Sequence, residues 1–421
     1  MKHEIQAAVE QQLMVAGSYS PLEWLIDSGA VQYPDYVAWR NGAKDGTLNG
    51  CLEDLVCLSE ADLLELLNHG AWYAGELGLE SEPVVFKGWH SENSQRVLLT
   101  SRNETLAVLL QQHWRRPQLE VQQFDLFMDN PGLVLENDLL ELLVARRWGE
   151  AQKKLDQLYQ SDPGNIKLGD FDDLIAYGLH CETPLLRGSL AGGLSSDSPT
   201  DSIANDRSMI EEELVGLETE VLPLSARVLA QSARDYLAPA WARLGHALEG
   251  LEFLPGQPKL HASYAWQQYQ DWSRVQSAVE RGEGSLEQPV LVWRLALSYF
   301  YQQKRGPGLG LLCLLLSRDE NFAVQSFEHC PDSRFLSIWQ RFQELEVELP
   351  LSDFPGWLLL HERGAVHQLK DFSLPGAGLV YNSVFSLLVA NAAGDEVDEL
   401  ACRKQLQACS PALLKVYLQD K

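Results

Sequence analysis

Residues 141–165 read ELLVARRWGEAQKKLDQLYQSDPGN, and this stretch decides the fold. Its spacing predicts two helices around a short turn at Trp148-Gly149. In the second helix Ala151, Leu155 and Leu158 recur at intervals of four and three, which places them on one face. The small side chain of Ala151 lets a neighbouring helix approach closely. Asp162-Pro163-Gly164 then ends the helix, because proline cannot continue the hydrogen-bond ladder and glycine favours the turn.

Outward from this unit the helical periodicity continues. The segment His261–Arg281 carries a stripe of Ala265, Tyr269, Trp272, Val275 and Val279, and breaks at Gly282-Glu283-Gly284. Helices over Pro289–Gln303 and Leu309–Leu316 follow, the first marked by Leu291, Leu295, Tyr299 and Phe300. Between them, Gly306-Pro307-Gly308-Leu309-Gly310 reads as a tight interhelical turn. Toward the N-terminus, Leu63, Leu67, Ala71 and Ala74 predict a helix over 61–77 that stops at Gly78, with Gly70 and Gly75 leaving two shorter helices open. Pro34–Gly42 reads as a short helix whose Tyr36 and Trp39 anchor the core. Residues 119–130 fit a strand or a helix, and Ala412–Leu418 is helix-like.

The residues Ala151, Leu155, Leu158 and Pro163 resemble the second half of a tetratricopeptide repeat, in which small, large and small apolar residues precede a helix-ending proline. Leu158 is larger than the alanine usual at its position, and the first half of the repeat departs from the pattern. The resemblance covers residues 141–165 only, and the 261–303 helices do not align with it at a period of about 34 residues. It implies stacked helical hairpins and, at the level of a large superfamily, protein binding. The expected fold is therefore mainly α, an irregular α-solenoid of stacked helical hairpins with a separate helical N-terminal region. The expected divisions are a helical region over 1–115, a tetratricopeptide-like region over 116–186, a linker over 187–206 and a C-terminal solenoid over 207–421. The linker, RGSLAGGLSSDSPTDSIAND, is dominated by turn-forming residues with little to bury.

The 421 residues include 33 Lys and Arg against 59 Asp and Glu, a net charge of −26. Such a surface repels the phosphate backbone, so direct nucleic-acid binding is not expected, whereas a partner with a basic surface is. At 45% hydrophobic residues the chain has enough apolar content to bury a core. The longest apolar run, GLGLLCLLL at 308–316, falls short of the roughly 20 residues a membrane span requires and reads as a buried helix, so no membrane insertion is expected. Seven scattered cysteines without a CxxC pair fit a reducing cytosol. An N-terminus interrupted by Glu4, Glu10, Gln11 and Gln12 lacks the apolar core of a signal peptide, and a cytoplasmic location is expected.

Motifs that carry chemistry are incomplete. His361 and His367 stand six apart, about 240° around a helix, where zinc ligation in an HExxH motif needs a spacing of four. His180-Cys181 and His329-Cys330 lack further ligands nearby and are expected in buried structural roles. The glycines at 306–310 follow a helix rather than a strand and are not succeeded by Lys-Ser/Thr, so they do not form a phosphate loop. Glu53-Asp54, Asp172-Asp173 and Glu211–Glu213 would serve acid–base chemistry only if a fold brought two carboxylates across a cleft. No cofactor or metal is expected.

Twelve tryptophans are an unusual content for this length. Such rings either wedge helices together or form hot spots in a peptide-binding groove. The expected function is a protein-binding scaffold, adaptor or chaperone-like protein, with Tyr269, Trp272 and Trp293 as aromatic anchors and Glu211, Glu212 and Glu213 selecting basic side chains. The alternatives are a hydrolase with a nonlocal acidic site and an acidic mimic of nucleic acid.

Overall fold

The computed structural model describes residues 2–42, 60–89, 98, 100, 101, 103–117, 131–186, 199–345, 349–364, 378–394 and 396–419. The 119–130 alternative, Glu53-Asp54, Cys51, Cys57, His367 and residues 187–198 of the expected linker lie outside them. The chain is mainly helical and divides into two compact units, Met1–Leu251 with Lys259–Asp271, and Glu252–Pro258 with Trp272–Lys421. The divisions expected at 115, 186 and 206 all fall inside the first unit.

The first unit contains α1 (Lys2–Ala16), α2 (Pro21–Asp27), α3 (Tyr33–Arg40), α4 (Glu60–Glu76), α5 (Glu104–Leu110), α6 (Pro131–Val144), α7 (Trp148–Ser161), α8 (Leu168–Cys181), α9 (Pro199–Gly216), α10 (Leu222–Leu229), α11 (Ala233–Leu248) and α12 (Ala262–Gln268). Its N-terminal part, expected to be helical, also holds a small antiparallel sheet of β1 (Ser18–Tyr19), β2 (Glu80–Pro83) and β3 (Gln112–Arg115), ordered β1-β3-β2. Trp114 pairs with Tyr19 on one side and with Ser81 on the other. The Ser20 hydroxyl accepts the Glu23 amide to start α2, and Pro21 occupies the first turn, where its missing N–H costs nothing. Tyr36 and Trp39 of α3 are core residues. Helix α4 is continuous rather than two pieces. A Cβ at Gly70 would lie 2.7 Å from Ile5 Cδ1, so the glycine that weakens the helix locally is what lets α1 pack against it.

The quoted stretch forms a helical hairpin, but its turn lies at Ala145–Arg147 rather than at Trp148-Gly149. Arg146 takes the left-handed conformation with φ 58°, Trp148 is buried, and Gly149 sits in the first turn of α7. Ala151, Leu155 and Leu158 are fully buried, and α8 packs against both helices of the hairpin. An ion pair of 2.6 Å from Lys154 to Asp138 joins α7 to α6. The last residues of the expected linker, from Pro199 onward, belong to α9. Helix α9 widens into a π-turn at Leu217–Val221 before α10. The cause is Pro223, which cannot donate to the carbonyl of Thr219 and would clash with it in a regular α-helix.

The second unit contains α13 (Trp272–Glu280), α14 (Pro289–Tyr301), α15 (Arg305–Arg318), α16 (Glu320–Phe327), α17 (Ser333–Gln343), α18 (Phe354–His361), α19 (Leu379–Ala393), α20 (Glu396–Cys409) and α21 (Pro411–Gln419). The expected single helix over 261–281 is two, α12 and α13, because Gln270 turns the chain with φ 59°. The turn expected at Gly306–Gly310 is the start of α15, and the reversal falls at Gln302–Lys304, where Gln303 has φ 61°. Residues 308–316 are buried throughout, as their apolar run requires. Arg305 clamps this unit: its Nη2 donates to Asp332 Oδ1 (3.2 Å) and Glu362 Oε1 (2.9 Å), and its Nη1 to Glu362 Oε2 (2.8 Å). Asp332 Oδ1 also accepts the Phe335 amide at 2.7 Å, capping α17.

Two predictions follow from packing at defined atoms. A Cβ at Gly245 of α11 would lie 2.6 Å from the indole of Trp266 on α12, so Gly245→Ala should destabilise the protein by about 1–3 kcal/mol in chemical denaturation, as overpacking does. Buried Asp353 accepts a 2.6 Å bond from the Ser410 hydroxyl, and burial raises its carboxyl above the ordinary range against the lowering effect of that bond. A raised carboxyl contributes stability that is complete below its unfolded value and lost as pH rises through its folded value. Asp353→Asn should therefore gain on the native protein in melting temperature as pH climbs through that window, and a constant gap would contradict the burial effect.

Candidate functional site

A dense polar cluster lies in the first unit around Asp235, the third residue of α11, which is 8% exposed. Tyr33 donates its hydroxyl to Oδ1 at 2.7 Å and Tyr36 donates to Oδ2 at 3.4 Å, both from α3, where a spacing of three puts them on one side. Arg146 donates from Nη2 to the Asp235 carbonyl at 3.0 Å. Arg234 reaches Glu23 (2.6 Å) and Asp27 (3.2 Å) on α2 and stands 3.6 Å from Asp235. Trp89 lies beneath two guanidinium groups, with Arg40 4.7 Å and Arg146 4.4 Å from its ring centre, an arrangement that favours the cations through the ring quadrupole.

Burial raises the carboxyls of Glu23 and Asp27 despite the opposing charge of Arg234. It also holds the Tyr33 and Tyr36 phenols far above their ordinary range, reinforced by the negative charge of Asp235. The phenols are thus fixed as neutral donors. Arg234 contacts all three carboxylates and occupies the space between them, where an acid–base pair would need to hold water or substrate.

A second cluster gathers on Glu213 of α9. Its Oε1 accepts from Arg243 (2.7 Å) and Tyr177 (3.3 Å), and its Oε2 lies 3.0 Å from His180 Nε2. The Cys181 thiol beside it is pushed up by burial to about 11, which keeps it protonated at neutral pH. His180 and His329 are exposed, against the expectation of buried roles, while Cys330 is buried. Cys181, Cys313, Cys330, Cys402 and Cys409 are free thiols. His361 Nδ1 lies 2.9 Å from the Trp357 carbonyl, and no group of three potential metal ligands is present among the described residues.

The residues expected to contact a partner are distributed as follows. Glu211 and Glu212 are exposed, whereas Glu213 turns inward to the cluster above. Tyr269 is half-buried, packed edge-on against Tyr33 at 5.7 Å and Trp266 at 5.9 Å, beside the Asp235 cluster. In the second unit Trp272 is 7% exposed and stacks on Tyr301 at 4.2 Å, and Trp293 is half-buried against the core.

A cleft of about 480 Å³ opens in the first unit between α6, the α7–α8 connection, α8 and α10. Leu140, Phe171 and Val228 form its apolar wall, and Lys167, Asp170 and Arg227 its charged rim. Ile166 on the connection is 93% exposed, an apolar side chain standing in water at the mouth. The sequence signal was an isoleucine placed directly after the helix-ending Asp162-Pro163-Gly164-Asn165. The second unit has a hollow of about 590 Å³ near Trp339 and Phe342, bordered by residues on both sides of 346–348, which lie outside the described residues. In comparisons with known proteins the chain has no significant match to a family model, a curated protein or a solved structure.

The Asp235 cluster yields a stability prediction. Tyr33→Phe should cost about 1.5–3 kcal/mol, as expected for a hydrogen bond to a charged acceptor. Asp235→Leu should cost about 3–5 kcal/mol by leaving buried partners uncompensated. In the double variant the losses should fall short of their sum, because the phenol has no acceptor left to lose. Additive losses in urea titrations would place the two groups outside one network.

Proposed function

We propose that this chain is a scaffold or adaptor that binds a partner protein through a surface of stacked helical hairpins, in an irregular α-solenoid of tetratricopeptide-like units. The observation that carries the reading is the cleft beside the α6–α7 hairpin with Ile166 exposed at its mouth. Ile166 stands beside a concave apolar wall rather than on open surface, and concave helical surfaces of this kind take up peptide segments. The net charge of −26 favours a partner whose overall surface is basic, and Glu211 and Glu212 offer exposed carboxylates to it. Tyr269 in the first unit, and Trp293 with the Trp272–Tyr301 stack in the second, are the aromatic groups this reading assigns to partner contact, each within its own unit. The proposed site of action is the cytoplasm, in keeping with free thiols at the described cysteines. No helix among the described residues is long and apolar enough to cross a membrane.

A second reading, a hydrolase with a nonlocal acidic site, has one observation in its favour: Glu23, Asp27 and Asp235 converge on Arg234, and two of them have raised carboxyls. Turnover of a hydrolase substrate panel that Glu23→Gln abolishes would favour it over the scaffold.

The test of the scaffold is affinity capture from the native host lysate with the full chain and with Ile166→Asp. Ile166 is exposed, so the variant should melt at the temperature of the native chain while losing a stoichiometric partner. Glu211→Lys with Glu212→Lys should weaken capture in a salt-dependent way. Undiminished capture by the Ile166 variant would remove the cleft from the interaction.

A further inference from the structure

Resting on that reading, we infer that the cleft between α6, α8 and α10 takes an apolar side chain flanked by a carboxylate, that is, an acidic-apolar segment of the partner protein. The argument begins with the order of the mouth. Asn165 bridges the connection that displays Ile166. Its Oδ1 accepts the Lys167 amide at 3.0 Å, and its Nδ2 donates to Glu136 Oε1 at 2.6 Å and to Asp162 Oδ2 at 3.2 Å. The Lys167 carbonyl accepts the Phe171 amide at 3.0 Å, so the turn runs directly into α8. Ile166 is therefore held outward by a bonded turn, and its exposure is a fixed feature of the surface.

The rim has a definite sign. Lys167 Nζ sits 2.7 Å from Glu136 Oε2, and Arg227 Nη2 sits 2.8 Å from Asp170 Oδ1. In each pair the cation is the outer member: Lys167 is 50% and Arg227 67% exposed, against 11% for Glu136 and 26% for Asp170. Burial alone would raise the Glu136 carboxyl, but the bonds from Lys167 and Asn165 overcome it and leave it lowered, so the anion stays charged. The carboxylates thus position two cationic heads from behind. Arginine carries five N–H donors in a planar fork, and Asp170 engages one nitrogen, which leaves further donors on a 67% exposed side chain that match a carboxylate. An apolar wall of half-buried Leu140 and Val228, backed by the fully buried Phe171, below two outward cations fits a leucine, isoleucine or phenylalanine next to Asp or Glu.

A random-peptide display library selected on the immobilised full chain at physiological salt tests this. The expected result is enrichment of an apolar residue with Asp or Glu within two positions. A synthetic peptide of the enriched sequence should bind the native chain and lose at least about tenfold in affinity to Arg227→Glu with Lys167→Glu, the sign selectivity expected of rim charges. Selection on that double variant should switch to Lys or Arg beside the apolar residue, and Arg227→Gln should give an intermediate loss. Matching melting temperatures would show that the variants are folded. Enriched peptides that are basic, or whose affinity ignores the charge reversal, would overturn this inference and leave the scaffold reading standing on the Ile166 capture result. Absence of any enriched sequence sensitive to Ile166→Asp would overturn the inference together with the cleft as a peptide site.

Discussion

Asp235 is a buried carboxylate that must find its counter-charges and donors in three separate stretches of the first unit. Tyr33 and Tyr36 come from α3, Arg146 from the α6–α7 turn and Arg234 from its own helix, which in turn holds α2 through Glu23 and Asp27. Removing a charge from water is costly enough that the attraction of its partners roughly offsets the loss. The cluster therefore adds little net stability over an apolar core of the same shape. Its effect lies in the alternatives: any packing that separates the carboxylate from its partners leaves a buried charge alone, at a cost of about 3–5 kcal/mol. That penalty links the sheet-bearing N-terminal helices to the hairpin that carries the cleft.

The same link accounts for the strained turn at Arg146. Among the described residues, four that are not glycine, Arg146, Ala230, Gln270 and Gln303, adopt positive φ at ends or reversals of helices. Each such position costs of order 1–3 kcal/mol locally and persists only where surrounding contacts over-determine it. For Arg146 the contacts are its bond to the Asp235 carbonyl and its packing on Trp89. Glycine and proline were the signals available in the sequence, and they pointed to Trp148-Gly149 and Gly306–Gly310. Both segments lie inside helices, because a reversal held by tertiary contacts does not need a residue with intrinsic freedom. The split of 261–281 falls at Gln270, where neither a glycine nor a proline marks it.

What periodicity could show, it showed well. The faces of α4 and α7, the anchoring role of Tyr36 and Trp39, and the buried run at 308–316 follow from spacings of three and four and from an apolar surface that must be covered. Glu211–Glu213 marks the limit of that logic. Three adjacent carboxylates read alike in sequence, yet a helix rotates each by about 100° from the last. Glu213 thereby faces Arg243, His180 and Tyr177, while Glu211 and Glu212 face water. The pairs Glu136–Lys167 and Asp170–Arg227 have no local signature at all, since they join residues far apart in the chain. The rim of the cleft could be read only from the fold.

The cationic rim and the net charge of −26 act over different distances. At physiological salt, charges separated by more than about 8 Å are largely screened, so the net charge of the chain acts as a weak bias on the approach of a partner and is outweighed at contact by the charges nearest to it. At contact the sign that matters is that of the outermost atoms, and in the cleft those belong to Lys167 and Arg227. On the proposed reading, a partner with a basic body and an acidic-apolar segment satisfies both regimes. A uniformly acidic chain is repelled before it can dock, and a uniformly basic one meets like charges at the mouth. Two opposite preferences at two ranges narrow the choice of partner more than either would alone, which is how modest surface charges produce specificity without large binding energy.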